Sequence, residues 1–217
     1  MQHIYIISGL GADRRMFQNL DLSGMEVTHI DWISPLSNET IENYAKRLSQ
    51  KIITEKPIII GLSFGGMMAI EISKLMETEK IILISSAKTK KEIPFFFRIA
   101  GKTGIHKIVP SWLFKRPTLL SNWYFGTESK EDKNMLAGIM KDTDVVYLRW
   151  AIDKILKWKN IITPSNLRHI HGTADRALPI QFVHPDVKVE GAGHLMVFDR
   201  PAIVTDFIKK EVSFTLL

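Results

Sequence analysis

The segment Gly61-Leu62-Ser63-Phe64-Gly65-Gly66 combines a nucleophilic side chain with closely spaced glycines. It directly follows the apolar run Pro57-Ile58-Ile59-Ile60 and precedes a segment with helical periodicity. In a sharp strand-to-helix turn, glycines on both sides of a serine leave room for the strained backbone, and the serine hydroxyl projects above the sheet. The pattern therefore predicts that Ser63 is a nucleophile. The alternative is a turn of small residues that leads into a buried helix.

A carboxylate and a histidine follow two later strand-like runs. Asp175 comes after the run at 167–170, and His194 comes after the run at 187–190. Because open α/β sheets bind their ligands at the carboxyl ends of the strands, we expect these side chains to lie near Ser63. A histidine and a carboxylate are the residue types that nucleophilic catalysis by a serine requires beside it.

The elements that must position these residues alternate between strands and helices. Short, largely apolar runs predict strands at 3–7, 26–30, 57–60, 80–85, 167–170 and 187–190. Helical spacing of apolar residues predicts helices at 40–53, 64–76 and 201–210. This alternation is typical of a parallel sheet with helices on both faces, and the nearly continuous apolar strands indicate burial on both sides. The sequence therefore predicts an α/β fold.

Residues 88–150 interrupt this alternation between the fourth and fifth predicted strands. They include Phe95-Phe96-Phe97, and their excess of basic over acidic residues equals the +6 net charge of the chain. We expect residues 1–87 and 151–217 to form the core, and residues 88–150 to form a helical lid over the site. A basic, aromatic lid suits an anionic substrate, an acidic carrier protein or a membrane surface; the alternative is a solvated helical face with a buried aromatic side.

The overall composition is that of an ordinary folded enzyme. At 217 residues, 45% hydrophobic and 24% charged, the chain can bury one substantial core. Cysteine is absent, which excludes disulfides and thiolate chemistry. The first strand begins at His3, too early for a secretory signal, and no apolar run reaches the roughly 20 residues of a membrane-spanning helix. These features predict a cytoplasmic protein and give no indication of its oligomeric state.

Motifs for other kinds of site are weak or incomplete. Gly9-Leu10-Gly11 is followed by Arg14 where a dinucleotide fingerprint has its third glycine, and Gly65-Gly66 are not followed by the lysine of a P-loop. His169 and His171 share one face of a strand, but this spacing without a third ligand favours structural roles over a metal site. The sequence therefore predicts no cofactor, no metal ion and no nucleic-acid partner.

Together these motifs resemble those of the α/β-hydrolase family over nearly the whole chain. The matching pieces are Ser8-Gly9-Leu10-Gly11, Gly61-Leu62-Ser63-Phe64-Gly65-Gly66, His171-Gly172-Thr173-Ala174-Asp175 and Gly191-Ala192-Gly193-His194. The chain order of nucleophile, acid and base is also that of the family. The resemblance implies that Ser63 is the nucleophile, His194 the general base and then acid, and Asp175 the residue that orients the imidazole. It also implies an oxyanion hole formed by the backbone N–H groups of Leu10 and Phe64.

Two departures from the family pattern accompany the resemblance. The chain has Ser8 where the family often has histidine, which changes a hydrogen-bonding group behind the oxyanion loop. The family's full sheet also has two strands before the one that begins here at His3. We therefore expect an α/β-hydrolase fold with a mostly parallel open sheet of about six strands, helices on both faces and a helical lid insertion.

The predicted function is hydrolysis of a carboxylic ester through an acyl-enzyme intermediate. Dehalogenases and epoxide hydrolases of the family have aspartate at the position of Ser63, so the serine argues against their chemistry. One alternative is a thioesterase that acts on an acyl carrier or a CoA thioester. The other is a non-catalytic protein of the same fold that binds a small molecule, since this fold hosts several activities.

Overall fold

The computed structural model describes residues 3–104, 118–127 and 129–213. Residues 105–117 and Glu128 of the predicted insertion lie outside this part of the chain. Its helices and strands are, in chain order, β1 (His3–Ile7), β2 (Glu26–Ile30), α1 (Ile41–Ser49), β3 (Ile58–Leu62), α2 (Phe64–Ser73), β4 (Lys80–Ile84), α3 (Phe95–Thr103), α4 (Leu119–Phe125), α5 (Lys130–Asp142), α6 (Val145–Leu156), β5 (Leu167–Gly172), β6 (Val187–Val189), α7 (Met196–Asp199) and α8 (Pro201–Ser213). Short 3₁₀ turns form at Arg14–Phe17 and Ile180–Phe182.

The strands in the described ranges form one six-stranded parallel sheet in the order β2-β1-β3-β4-β5-β6. The chain moves outward from β1 to β2 and then crosses back, so that β3 pairs with the other side of β1. This reversal creates a crevice at the carboxyl ends of β1 and β3, where sheets of this type bind ligands. The prediction of a trimmed parallel sheet of about six strands is confirmed.

Two hydrophobic clusters cover opposite faces of the sheet. Because successive strand residues point to opposite faces, Tyr5 and Ile7 join one cluster while Ile4 and Ile6 join the other. The first cluster includes buried residues of α1 and α2, and the second includes those of α7 and α8. The sheet therefore has helices on both faces, as its apolar strands predict.

Tertiary contacts move some element ends away from their predicted positions. Thr40 caps α1 by accepting a hydrogen bond from the Asn43 N–H at 3.2 Å, but the helix ends at Ser49, before the predicted residue 53. The Ile53 N–H instead donates to the Tyr5 hydroxyl at 3.2 Å. Strands β3 and β5 each end two residues later than predicted. The polar loops that follow these strands therefore begin at the edge of the sheet.

Helices α3 to α6 lie between β4 and β5, where the sequence predicts a helical insertion. α3 packs so closely on the end of α6 that a Cβ at Gly101 would lie 2.7 Å from the Leu156 carbonyl oxygen. α6 continues to Leu156, past the domain boundary that we predict at residue 150. The division of the chain into a core and a lid stays a prediction.

Candidate active site

Ser63 occupies the sharp turn between β3 and α2. Its backbone angles are φ 52° and ψ −119°, a strained combination for a residue other than glycine. The glycines around it permit close backbone contacts. A Cβ at Gly65 would collide with the carbonyl oxygens of Ile7 and Ser8, and one at Gly61 would collide with the first turn of α2. The turn therefore depends on both glycines, as the sequence pattern predicts.

His194 and Asp175 lie beside Ser63 in one hydrogen-bonded chain. The distance from Ser63 Oγ to His194 Nε2 is 2.9 Å, and the distance from His194 Nδ1 to Asp175 Oδ2 is 2.7 Å. The Leu178 N–H donates to Asp175 Oδ1 at 2.8 Å and holds the carboxylate in place. Asp175 is 3% exposed and His194 is 6% exposed. The structure thus brings together the three side chains selected from the sequence.

The charge on Asp175 determines which nitrogen of His194 carries the hydrogen. Burial by itself would raise the pKa of the Asp175 carboxyl, but His194, His171 and the Leu178 N–H together bring that pKa below its ordinary value. Asp175 is therefore ionised at neutral pH and can only accept hydrogen bonds. The hydrogen of a neutral His194 must then be on Nδ1, which leaves the Nε2 lone pair to accept the Ser63 hydroxyl.

The loops that follow β5 and β6 are bonded directly to one another. The Ala174 N–H donates to the Ala192 carbonyl at 3.0 Å, and the Gly191 N–H donates to Thr173 Oγ1 at 2.9 Å. A Cβ at Gly172 would collide with the Ala192 carbonyl, so the contact requires glycine there. These bonds fix the loop of the acid relative to the loop of the histidine.

His171 also contacts Asp175, which the sequence pattern did not predict. His171 Nε2 lies 2.8 Å from the Leu178 carbonyl oxygen and 3.3 Å from Asp175 Oδ2. Both neighbours are acceptors, so Nε2 carries the hydrogen. Burial lowers the pKa of His171, which keeps the ring neutral at pH 7. The spacing of His171 in the sequence holds no signal for this contact, because it forms only when the loop after β5 folds back.

His169 packs behind His171, with its ring centroid 5.3 Å away. Burial, the neighbouring His171 and Lys88 hold the pKa of His169 well below its ordinary value. Across the described ranges, no three His, Asp or Glu side chains are grouped so that they could hold a metal ion. Asp153, another carboxylate of the chain, lies elsewhere, on α6, where it pairs with Lys154 and Lys157.

The loop after β1 lies against Ser63. A Cβ at Gly9 would lie 3.4 Å from Ser63 Cβ, and Leu10 lines the same cavity as the serine. No turn, loop or cap hydrogen bond in the described part of the chain uses the N–H of Leu10 or of Phe64. Leu10 thus belongs to the loop that lies against the serine, and Phe64 follows the serine directly in the chain; their role as oxyanion donors stays a prediction.

Ser63 and His194 line a cavity of about 530 Å³. Helices α3, α5 and α6 contribute its apolar wall, formed by Phe97, Leu136, Ile139, Met140, Leu148, Ile152, Ile155 and Leu156. Among the described residues that line it there is no Asp, Glu, Lys or Arg. Tyr124 from α4 lines it too, and burial, together with the charge of Asp175, raises its pKa to about 12. The cavity therefore suits an uncharged, apolar group.

Sequence comparison assigns the chain to a known family. Residues 4–207 match the model of the alpha/beta hydrolase family. No curated protein matches the sequence.

Solved structures with a similar fold include several enzymes. An esterase from Thermogutta terrifontis has a TM-score of 0.69 and 15% identity, covering 99% of this chain and 90% of that one. MenH from S. aureus has a TM-score of 0.72 and 16% identity, covering 97% and 94% of the two chains. The enol-lactonase from Burkholderia xenovorans LB400 has a TM-score of 0.65 and 18% identity, covering 98% and 91%. At these identities the likeness shows the fold alone.

Proposed function

We propose, given that the chain belongs to the α/β-hydrolase family, that it is a serine hydrolase that cleaves a carboxylic ester through an acyl-enzyme intermediate. The observation that carries this proposal is the hydrogen-bonded chain from Ser63 through His194 to Asp175 at the wall of an apolar cavity. An esterase and an enol-lactonase are among the solved structures of the same fold, which supports an ester as the substrate.

In the first half of the proposed reaction, Ser63 Oγ attacks the ester carbonyl carbon while His194 Nε2 accepts the hydroxyl proton. Asp175 keeps the imidazole oriented and stabilises its positive charge. Negative charge develops on the carbonyl oxygen, where the N–H groups of Leu10 and Phe64 can donate to it. Loss of one such donor typically costs roughly 10²- to 10³-fold in rate.

In the remaining steps His194 acts first as an acid and then again as a base. The imidazolium of His194 gives its proton to the departing alcohol oxygen, which leaves an ester between the acyl group and Ser63. His194 then takes a proton from water, whose oxygen attacks the acyl carbon. The acid departs, and the proton returns to the Ser63 oxygen.

The apolar lining of the cavity indicates that the part of the substrate bound there is an apolar acyl group. The lining residues of α6 extend from Leu148 to Leu156, about 12 Å at the 1.5 Å rise of a helix. Each methylene group buried there is worth about 0.8 kcal/mol. We therefore expect kcat/KM to rise with acyl length until the cavity is filled.

The test is hydrolysis of p-nitrophenyl esters of increasing acyl length by the wild type and by Ser63→Ala. Ser49→Ala, at the end of α1, is the matched control because the Ser49 hydroxyl donates to the Lys46 carbonyl within its own helix turn. We expect Ser63→Ala to lose hydrolysis and to lose labelling by a fluorophosphonate probe, while Ser49→Ala keeps both. Hydrolysis that persists in a folded Ser63→Ala protein would contradict the proposal.

A thioesterase is the second candidate, favoured by the excess of basic residues in 88–150. Acyl-CoA and acyl-carrier thioesters distinguish it from an esterase. Cleavage of carrier thioesters no faster than simple thioesters would argue against a carrier protein as partner. If no ester or thioester is cleaved but an acyl ligand raises Tm, the third possibility, a binding protein of the same fold, is favoured.

Membrane contact through Phe95-Phe96-Phe97 and the basic residues near them is a hypothesis, one of the options that the basic, aromatic segment leaves open. Phe95 and Phe96 are exposed, whereas Phe97 lines the cavity, so the cluster is divided between solvent and site. In the described ranges, no helix combines the length and apolarity needed to cross a bilayer. Flotation with anionic liposomes tests peripheral binding, and a protein that stays at the bottom of the gradient would rule this hypothesis out.

A further inference from the structure

We propose that Trp32 is a positioning residue that orients both N–H groups of the candidate oxyanion hole, those of Leu10 and Phe64. The inference rests on the proposed function, because these two groups act on a substrate oxygen only in acyl transfer. Trp32 lies two residues after the end of β2, beside the loop that follows β1, and its side chain is half-buried.

The first contact fixes the peptide unit that contains the Leu10 N–H. Trp32 Nε1 donates to the Gly9 carbonyl oxygen at 3.1 Å. The Gly9 carbonyl and the Leu10 N–H belong to one planar trans peptide, so they point in opposite directions. Holding the carbonyl therefore sets the direction of the N–H. The Ala12 N–H also donates to this carbonyl at 3.1 Å, but from within the same loop, whereas Trp32 ties the peptide to the segment that follows β2.

The second contact is with Phe64. The rings of Trp32 and Phe64 are stacked, with centroids 5.4 Å apart and planes at 23°. Phe64 is 1% exposed and is the first residue of α2, so its ring and its N–H move together with the start of that helix. One indole thus contacts both Phe64 and the peptide unit that carries the Leu10 N–H.

Other side chains hold the same loop at different peptide units. Thr143 Oγ1 lies 2.8 Å from the Gly11 carbonyl oxygen and 2.6 Å from that of Ile139, and its one hydrogen is shared between them. The Ser8 hydroxyl donates to the Ala12 carbonyl. The Gly11 and Ala12 carbonyls both lie after Leu10 in the chain, so these bonds hold the far side of the loop. Of these three side-chain bonds to the loop, the bond from Trp32 is the one that acts on the Leu10 N–H through a shared peptide plane.

Trp32→Phe removes the indole donor but leaves an aromatic ring to pack on Phe64. We expect kcat for the preferred p-nitrophenyl ester to fall about 10-fold, less than the roughly 10²-fold or more for loss of a whole donor. KM should change less than about twofold, because the donors act on the transition state rather than on the bound ester. The matched control is Trp150→Phe. The indole of Trp150 also packs near Phe64, with ring centroids 6.3 Å apart. It donates to the Glu39 carbonyl at 2.9 Å and not to the loop that follows β1.

A second readout follows the Leu10 N–H itself. Its NMR shift and its amide hydrogen-exchange rate should change in Trp32→Phe and stay as in the wild type in Trp150→Phe. Equal losses of kcat in the two variants, or an unchanged Leu10 amide, would overturn the positioning role. If the wild type cleaves no ester or thioester, the proposed function fails, while the Leu10 amide still decides whether Trp32 orients this group.

Discussion

The two buried histidines behind Asp175 should make the stability of the protein depend on pH. His169 and His171 are both fully buried, and burial is the main reason that their pKa values are lowered. In the unfolded chain a histidine titrates near 6.5. As the pH falls below that value, the unfolded chain gains protons that the folded chain does not bind. The free energy of unfolding is therefore retained above about pH 6.5 and is lost below it.

The size of this effect follows from the difference in bound protons. A histidine that stays neutral in the folded protein lowers the free energy of unfolding by about 1.3 kcal/mol between about pH 7 and about pH 5.5. His169, whose pKa lies well below the ordinary value, should contribute all of this. His171 should contribute less, because Asp175 and the Leu178 carbonyl partly oppose the effect of burial on its pKa.

Urea unfolding at both pH values tests this prediction with His169→Gln. The glutamine amide can face the Ser86 N–H, which lies 3.5 Å from His169 Nε2, but it does not titrate. Compared with the wild type, the variant should lose about 1.3 kcal/mol less between the two pH values, whatever its stability at pH 7. The exposed His184→Gln is the control and should keep the wild-type dependence. An equal dependence in His169→Gln and wild type would refute the reasoning.

Three further changes test the turn, the acid and the cavity. Gly65→Ala should lower the free energy of unfolding by roughly 3 kcal/mol or more, because the new Cβ collides with the backbone at the end of β1. The control is Gly138→Ala, which should stay as stable as the wild type because its new Cβ would lie 3.3 Å from the flexible tip of Arg15. Equal urea midpoints for the two variants would contradict this prediction. Asp175→Asn should lower kcat by about 10⁴-fold, whereas the control Asp153→Asn should change kcat less than about twofold. An Asp175→Asn protein as active as the wild type would show that Asp175 does not orient His194. Ile152→Trp should abolish the preference for long acyl esters while the shortest ester is cleaved as before; an unchanged chain-length profile would place the acyl group elsewhere.

Local patterns predicted the parts of the fold that depend on near neighbours in the chain. Continuous apolar runs marked the strands because both faces of the sheet are buried. The glycines around Ser63 marked the turn because a Cβ does not fit there. Asp175 and His194 were selected because each follows a strand, and the strand ends of a parallel sheet share one edge. The catalytic roles of these residues stay predictions.

Contacts between residues far apart in the chain were not predictable in the same way. Trp32 lies beside Gly9 because β2 pairs with β1, and beside Phe64 because β3 pairs with the other side of β1. His171 reaches Asp175 because the loop after β5 folds back onto the strand. No periodic pattern in the sequence marks either contact, because the Trp32 contacts depend on the order of the strands and the His171 contact depends on the path of a loop.

The sequence by itself thus determined the strands, the serine turn and the polar residues at the strand ends, because backbone sterics and burial act over a few residues. Only the tertiary structure decided the 2.9 Å and 2.7 Å spacings around His194, the walls of the cavity and the partners of the loop that follows β1. These depend on the packing of segments far apart in the chain, such as those of Ser63 and His194, which are 131 residues apart, and no local pattern specifies that packing.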